Sequence, residues 1–207
     1  MYDHIGGGFH RYATDREWRV PHFEKMLYDQ SQMVLALLEA SQASGDPFYA
    51  SVAEDTLAYV ARELTAPEGG FFSAEDADSV PADLAAAPHP RRLEGAFYLW
   101  SLDEIREAVG EDLAPLVIER FGLTAEGNAP DPQGEFRSRN VLHVARDLED
   151  LAATRGTPID TIIRDLRTAR QRLYAQPRQR PRPRLDDKVL TAWNGLMIAA
   201  FARAARQ

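Results

Sequence analysis

Two Gly-Gly-Phe tripeptides, Gly7-Gly8-Phe9 and Gly69-Gly70-Phe71, stand 62 residues apart and bracket a pair of long helical patterns. Glycine pairs supply the left-handed backbone that interrupts or reverses regular structure. Helical pairs separated by such turns are the layout of an α/α toroid or solenoid. Two copies do not fix the number of repeats. Each turn is followed by polar residues, His10 and Arg11 in the first and Ser73, Glu75 and Asp76 in the second.

The rest of the chain reads as mainly helical. From His22 to about Ser44, Phe23, Leu27, Val34, Leu37 and Leu38 share one face of a helix wheel. A second helix is expected from Pro47 to Leu64, with Asp46 as N-cap and Pro47 as its first residue. Ser101 with Glu104 forms a capping-box pattern that opens a short helix ending near Gly110. Asp112 to Phe121 follows, with Gly122 as C-cap, then a short helix near Asp147 to Thr154. Ile159, Ile162, Ile163, Leu166, Ala169 and Leu173 stripe a helix from Pro158 to about Tyr174. The last helix is expected to start near Asp187 and run through Trp193, Leu196, Met197 and Phe201. Gly95–Trp100 and Val141–Val144 read as short strands, and Gly127–Ser138 as loop. Residues 79–93 read as a mobile surface loop, and residues 176–185, rich in Arg and Pro, as an extended connector.

Composition narrows the function. Thirty-two acidic against 24 basic side chains give a net charge of −8, which opposes a broad nucleic-acid surface. The chain has no cysteine, so disulfides, thiolate metal sites and cysteine nucleophiles are excluded within it. No apolar run approaches the roughly 20 residues of a membrane span, and a cytoplasmic location is expected. The five histidines lack zinc-site spacing, and no phosphate-binding or nucleophile-elbow motif is present. Neither a metal nor a cofactor is expected.

Three clusters carry the chemistry-bearing residues. The first joins Gly6-Gly7-Gly8-Phe9-His10-Arg11-Tyr12, Asp15-Arg16-Glu17-Trp18 and Pro21-His22-Phe23-Glu24-Lys25-Met26-Leu27-Tyr28-Asp29-Gln30. Aromatic and ionisable residues at this density are how sugar clefts are often lined. On the helix expected from His22, the residues His22, Lys25, Asp29 and Gln32 lie close to one line, away from the Phe23–Leu27–Val34 face, and are placed to present acid, base and donors into a cavity. The plainer alternative is a solvated face with one Lys25–Asp29 pair, contributing about 0.3 kcal/mol. The second cluster is Ser73-Ala74-Glu75-Asp76-Ala77-Asp78-Ser79, suited to acid–base work or to an acidic surface loop. The third runs from Asp186 to Met197 and includes Asp187, Lys188, Trp193 and Asn194-Gly195. Glycine inside a helix costs about 1 kcal/mol relative to alanine, which a close backbone or ligand approach would offset.

These clusters, with Glu94–Trp100, Gly127-Asn128 and Asn140-Val141-Leu142-His143, resemble in sequence order the central region of the YyaL-type proteins. That family includes the spermatogenesis-associated thioredoxin-domain proteins. The resemblance implies a partial (α/α)6 toroid of the six-hairpin glycosidase type, with short β-hairpins at its mouth. It implies that residues 1–207 are a fragment of one barrel domain. The missing partners would be the remaining barrel half and a thioredoxin-like domain, and cut helix faces would be exposed. The toroid that the resemblance implies is similar to that of N-acylglucosamine 2-epimerases, where mouth histidines move a proton; His10 and His22 are the candidates here. In glycosidase relatives two carboxylates flank the bond; Asp29, Glu75, Asp76, Asp78, Asp186 and Asp187 are the candidates.

The expected function is carbohydrate binding or modification. His22, Glu75, Asp76 and Asp187 would carry acid–base chemistry. Tyr12, Trp18 and Trp193 would stack on a sugar, and Arg11, Arg16 and Lys25 would bind an acidic or phosphorylated group. His10, Tyr28, Asp29, Asp78, Asp186, Lys188 and Asn194 complete the expected contacts to a sugar or sugar phosphate. The alternative is a non-enzymatic scaffold that presents clients to the thioredoxin-like domain. Neither nucleic acid nor membrane is expected as a partner.

Overall fold

The computed structural model describes residues 1–129, 136, 138–176 and 180–206. The protein is mainly helical, with a few short antiparallel strands, and divides into two compact units. The first comprises residues 1–12, 21–79 and 183–207, and the second residues 13–20 and 80–182.

In the first unit, β1 (Lys25–Met26) leads into α1 (Leu27–Ser44), followed by α2 (Pro47–Tyr59) and a π-helical turn over Val60–Leu64. Asp46 caps α2 as expected, accepting from the Phe48 amide at 2.8 Å. Next come β2 (Ala74–Glu75) and β3 (Asp78–Ser79). In the second unit a 3-10 turn (Ala82–Leu84) and β4 (Leu93–Glu94) precede α3 (Leu102–Val109), α4 (Ala114–Phe121), α5 (Leu148–Arg155) and α6 (Ile159–Ala175). The chain returns to the first unit for β5 (Leu185–Asp186) and α7 (Thr191–Ala204).

The core of the first unit is Leu27, Val34, Leu38, Ala53, Leu57, Tyr59, Val60 and Leu64, joined by Met197 and Ala200 of α7. Leu116, Leu151 and Ile162 form a core cluster in the second unit. Val189 and Leu190, just before α7, and Leu196 and Ile198 on it are exposed.

Several expected boundaries move. The first helix starts at Leu27, not His22, because β1 pairs antiparallel with β2, Lys25 opposite Glu75. The His22 amide donates to the Tyr12 carbonyl at 2.8 Å, which also holds this stretch extended. The line of His22, Lys25 and Asp29 on one helix face is therefore not formed. The last helix starts at Thr191, since Leu185–Asp186 pairs with β2, and Leu190 rather than Asp187 is its N-cap. Gly95–Trp100 is a turn, in which the Tyr98 and Leu99 amides donate to the Gly95 carbonyl. Val141–Val144 is no strand; Asn140 alone bridges to Trp100. The 79–93 segment holds a 3-10 turn and the start of β4. Parts of the 127–138 loop and of the 176–185 connector, residues 130–135, 137 and 177–179, lie outside the described residues.

The Gly-Gly-Phe echo has a structural counterpart. Gln30, fourth residue of α1, accepts from the Phe9 amide at 2.7 Å and donates to the Phe9 carbonyl at 2.7 Å. Asn194, fourth residue of α7, accepts from the Phe71 amide at 2.7 Å and donates to the Phe71 carbonyl at 2.9 Å. Each carboxamide also reaches back one turn, to the carbonyl of Met26 or Leu190. Both turns need glycine. Gly8 and Gly70 have φ of 74° and 83°. A Cβ on Gly8 would lie 2.7 Å from the Tyr59 ring, and one on Gly70 would lie 3.1 Å from Asn194 Oδ1. Two copies of one device therefore exist: a glycine turn whose phenylalanine backbone is held by an amide from the first turns of a helix.

Candidate functional site

The three-stranded sheet brings the three sequence clusters together. Its order is β1-β2-β5, one strand from each cluster, with Ala74 opposite Met26 on one side and Asp186 on the other. Both outer strands run antiparallel to β2 and so parallel to each other. Each precedes a helix, α1 or α7, and the two helices pack together. Asp29 and Trp193 are the third residues of these two helices.

Around this sheet lies an aromatic and ionic cluster. Tyr28 and Trp193 meet edge to face with centroids 4.8 Å apart. Arg11 Nε donates to the Tyr28 hydroxyl at 3.1 Å, and Arg11 Nη1 pairs with Glu24 Oε2 at 3.0 Å. His22 Nε2 lies 3.6 Å from the same Glu24 oxygen, and its ring stacks on Tyr12 at 5.1 Å. The Asp29 Oδ2 atom is shielded from solvent and has no hydrogen-bond partner among the described residues. Desolvation pushes the Asp29 carboxyl above its ordinary range, and Glu24 adds to this while Arg11 pulls it back. A half-buried carboxyl with a raised pKa, an unfilled acceptor and an aromatic wall nearby is equipped to exchange a proton with a bound polar ligand.

A second, buried network lies beneath. Lys25 is 1% exposed, and its ammonium donates to Asp3 Oδ2 at 2.7 Å and the Gly7 carbonyl at 2.8 Å. It also sits over the Tyr59 ring, 4.3 Å from the centroid. Tyr59 donates to Glu75 Oε2 at 3.0 Å, and Glu75 is likewise 1% exposed. Asp3 also accepts from the Ile5 and Gly6 amides, and with Lys25 beside it the carboxyl sits well below its usual range despite burial. His10 is buried with Nδ1 2.9 Å from the Phe23 carbonyl. Desolvation drives the His10 pKa down to about 3, so the ring is neutral at physiological pH.

Lys25, Glu75 and His10 thus hold the loops in place from inside, and the expected Lys25–Asp29 pair gives way to Lys25–Asp3. Asn194, buried, spends its amide on Phe71 rather than on the surface. An added Cβ on Gly195 would meet nothing within 4 Å, so among the described residues no close approach explains this glycine. Asp76 and Asp187 are exposed, and Asp78 is half-buried in β3. Lys188 Nζ pairs with Asp186, 2.7 Å from both carboxylate oxygens. Arg16 and Trp18 are exposed and belong to the second unit.

Sequence reasoning missed Glu24 as the hub between Arg11 and His22, and Gln30, Asp3 and Tyr59 as the supports. Gln30 carried a readable signal, a carboxamide four residues into a helix that follows a Gly-Gly-Phe turn. The Asp3–Lys25 and Tyr59–Glu75 contacts carried none, because the partners are 22 and 16 residues apart.

Comparison with known proteins agrees with the family resemblance. The chain is 44% identical to spermatogenesis-associated protein 20 of Homo sapiens over 212 residues, 97% of this chain. The Mus musculus and Rattus norvegicus proteins of the same name are 43% and 42% identical over 98% of the chain. This chain is similar to one region of spermatogenesis-associated protein 20. It spans about a quarter, 26%, of the length of those relatives. No family model matches the chain. Among the described residues no helix is long and apolar enough to cross a membrane.

Proposed function

We propose that the first unit belongs to an α/α toroid and that its cluster binds a carbohydrate and performs acid–base chemistry on it. The observation that carries this reading is the shielded, unpartnered Oδ2 of Asp29 next to the Arg11–Tyr28–Trp193 chain. Tyr28 and Trp193 offer an apolar wall to a sugar face. Arg11 and His22 offer donors to hydroxyl or acidic groups. Asp29 takes the proton-transfer role, since Glu75 is sealed in the buried network and Asp76 and Asp187 lie open to water. The paired Gly-Gly-Phe devices support the toroid, because repeated hairpins are its building unit.

The test is a thermal-shift screen against sugars and sugar phosphates, repeated on Asp29→Asn and Trp193→Ala. A ligand that binds only the folded state raises the melting temperature. The expected result is a rise with one sugar class, lost in Trp193→Ala and kept in Asp29→Asn, which loses turnover instead. No shift with any sugar would overturn the reading. A scaffold role is the second reading, favoured by the exposed Val189, Leu190, Leu196 and Ile198.

A further inference from the structure

The second unit holds a cavity of about 170 Å³, and the carbohydrate reading makes no use of it. Much of its wall is apolar, built from Leu84, Leu93, Ala96 and Leu99. Glu104, Arg139 and Arg180 also line it. An apolar cavity of about 150 Å³ holds one benzene ring. The volume here therefore suits a single ring or a short branched chain with one small polar head.

The charges set what that head is. Glu104 is shared by two guanidiniums: Arg139 Nη1 lies 2.6 Å from its Oε2, and Arg180 Nη2 lies 3.0 Å from its Oε1. The Ser101 amide also donates to Oε2, at 2.7 Å. Against desolvation, these three contacts hold the Glu104 carboxyl below its ordinary range, so it is ionised. Two cations thus share one anion, and one positive charge is left over. It does not lie with Arg180, whose side chain is 10% exposed and already committed. Its Nη1 donates to the Leu99 carbonyl at 2.9 Å, and its guanidinium lies 4.1 Å from the Trp100 ring centroid. Arg139 is 37% exposed, and among the described residues only its Nη1 makes a hydrogen bond. Its Nε and Nη2 are left to form the planar fork that a carboxylate accepts.

The fork is presented from a fixed backbone. Asn140, next in the chain, is fully buried and exchanges backbone hydrogen bonds with Trp100 at 3.0 and 2.7 Å. Its carboxamide accepts from the Thr124 amide at 2.9 Å and donates to the Thr124 carbonyl at 3.0 Å. Such preorganisation lowers the entropy cost of binding. Asp83 and Glu94 complete the charged lining. Asp83 is exposed and screened by water, and Glu94 is half-buried with an interaction of its own. Both repel a second negative charge, which favours a monocarboxylate over a phosphate.

We propose that this cavity binds a small apolar monocarboxylate, its head on Arg139 and its hydrocarbon against Leu93, Ala96 and Leu99. The proposal is independent of the carbohydrate reading. The probes are benzoate, benzyl alcohol and benzylamine, titrated into the full chain and followed by methyl NMR. Benzoate should shift the Leu93 and Leu99 methyl signals saturably and bind at least about tenfold more tightly than the other two. Arg139→Gln should weaken benzoate about tenfold and leave benzyl alcohol unchanged. Ala96→Leu keeps every charge, fills the cavity and should abolish the benzoate shifts.

Absence of saturable benzoate shifts in the parent would overturn the proposal. So would benzylamine binding as tightly as benzoate, because the acidic residues would then govern the site. Equal losses of benzoate and benzyl alcohol in Arg139→Gln would show a cavity that had lost its shape rather than its carboxylate grip, and would overturn the role of Arg139.

Discussion

The two units are held together by different kinds of bond. In the second unit α3 and α5 are secured locally at their N-termini. Ser101 and Glu104 complete a reciprocal capping box, and Asp147 caps α5 by accepting from the Asp150 amide at 2.7 Å. Gly122 and Gly156 close α4 and α5 in left-handed conformation. In the first unit Asp46 caps α2 locally, but at the N-termini of α1 and α7 the corresponding work is done at long range. Met26 and Leu190, the N-caps of α1 and α7, make no side-chain cap. The loops beside them are held by Gln30, Asn194 and the Lys25–Asp3 pair, across separations of 21, 123 and 22 residues. Local bonds end a helix where its own sequence says, whereas these distant bonds hold the loops beneath the partly exposed cluster of Arg11, His22, Tyr28 and Trp193.

Three experiments would break or sharpen this contrast. The largest effect is expected from Lys25→Met, which strands the Asp3 carboxylate in the interior. Removing one partner of such a pair costs about 3–5 kcal/mol. Chemical denaturation should show that loss, and hydrogen exchange should place it in the first unit. An effect below that of an exposed pair would show that the buried network does not hold the loops.

The next effect is a pH dependence. The folded pKa of His10 is depressed to about 3, whereas the unfolded chain takes up this proton near 6.5. The unfolded state therefore binds more protons throughout this window, and stability falls as pH falls through it. Between pH 7 and pH 5 the loss from this one ring is about 2 kcal/mol. His10→Leu should flatten that part of the stability–pH curve whatever its stability at pH 7. An unchanged slope would remove His10 as the cause.

The smallest effects compare like with like. Asn194→Ala leaves the Phe71 amide and carbonyl without their clamp and should cost about 1–3 kcal/mol. Ser101→Ala in the second unit should cost about 1 kcal/mol. If the two losses are equal under the same denaturant, the distinction between distant and local securing has no energetic content.

The same contrast decided what could be read in the sequence. Asp46, the Ser101–Glu104 box, Gly110, Gly122 and the Ile162–Leu173 stripe were legible because propensity and capping act within a few residues. The start of α1 was not. Phe23 sits on the apolar face of the helix wheel, but the pairing of Lys25 with Glu75, 50 residues away, overrides that periodicity. The convergence of the three clusters on one sheet rests on strand pairings across 50 and more residues, which no local pattern reveals. Which side chains lie at the surface and which support the loops from inside depends on burial, and Lys25, Glu75 and Asn194 carry the same charge or polarity in either place. The echo of Gly-Gly-Phe was visible, but the amides that give it meaning lie 21 residues after one turn and 123 after the other.

Asn194 is followed by Gly195, the pair of residues most prone to spontaneous deamidation, because the glycine nitrogen readily attacks the side-chain carbonyl. Here the attacking nitrogen lies within α7 and the carboxamide is pinned to Phe71 and Leu190, so the cyclic intermediate cannot form while the helix is closed. Each opening of the helix exposes the pair to that reaction. Conversion to aspartate would replace the donor that holds the Phe71 carbonyl with an acceptor and a negative charge. Deamidation at this position would therefore undo the clamp that fixes the second glycine turn.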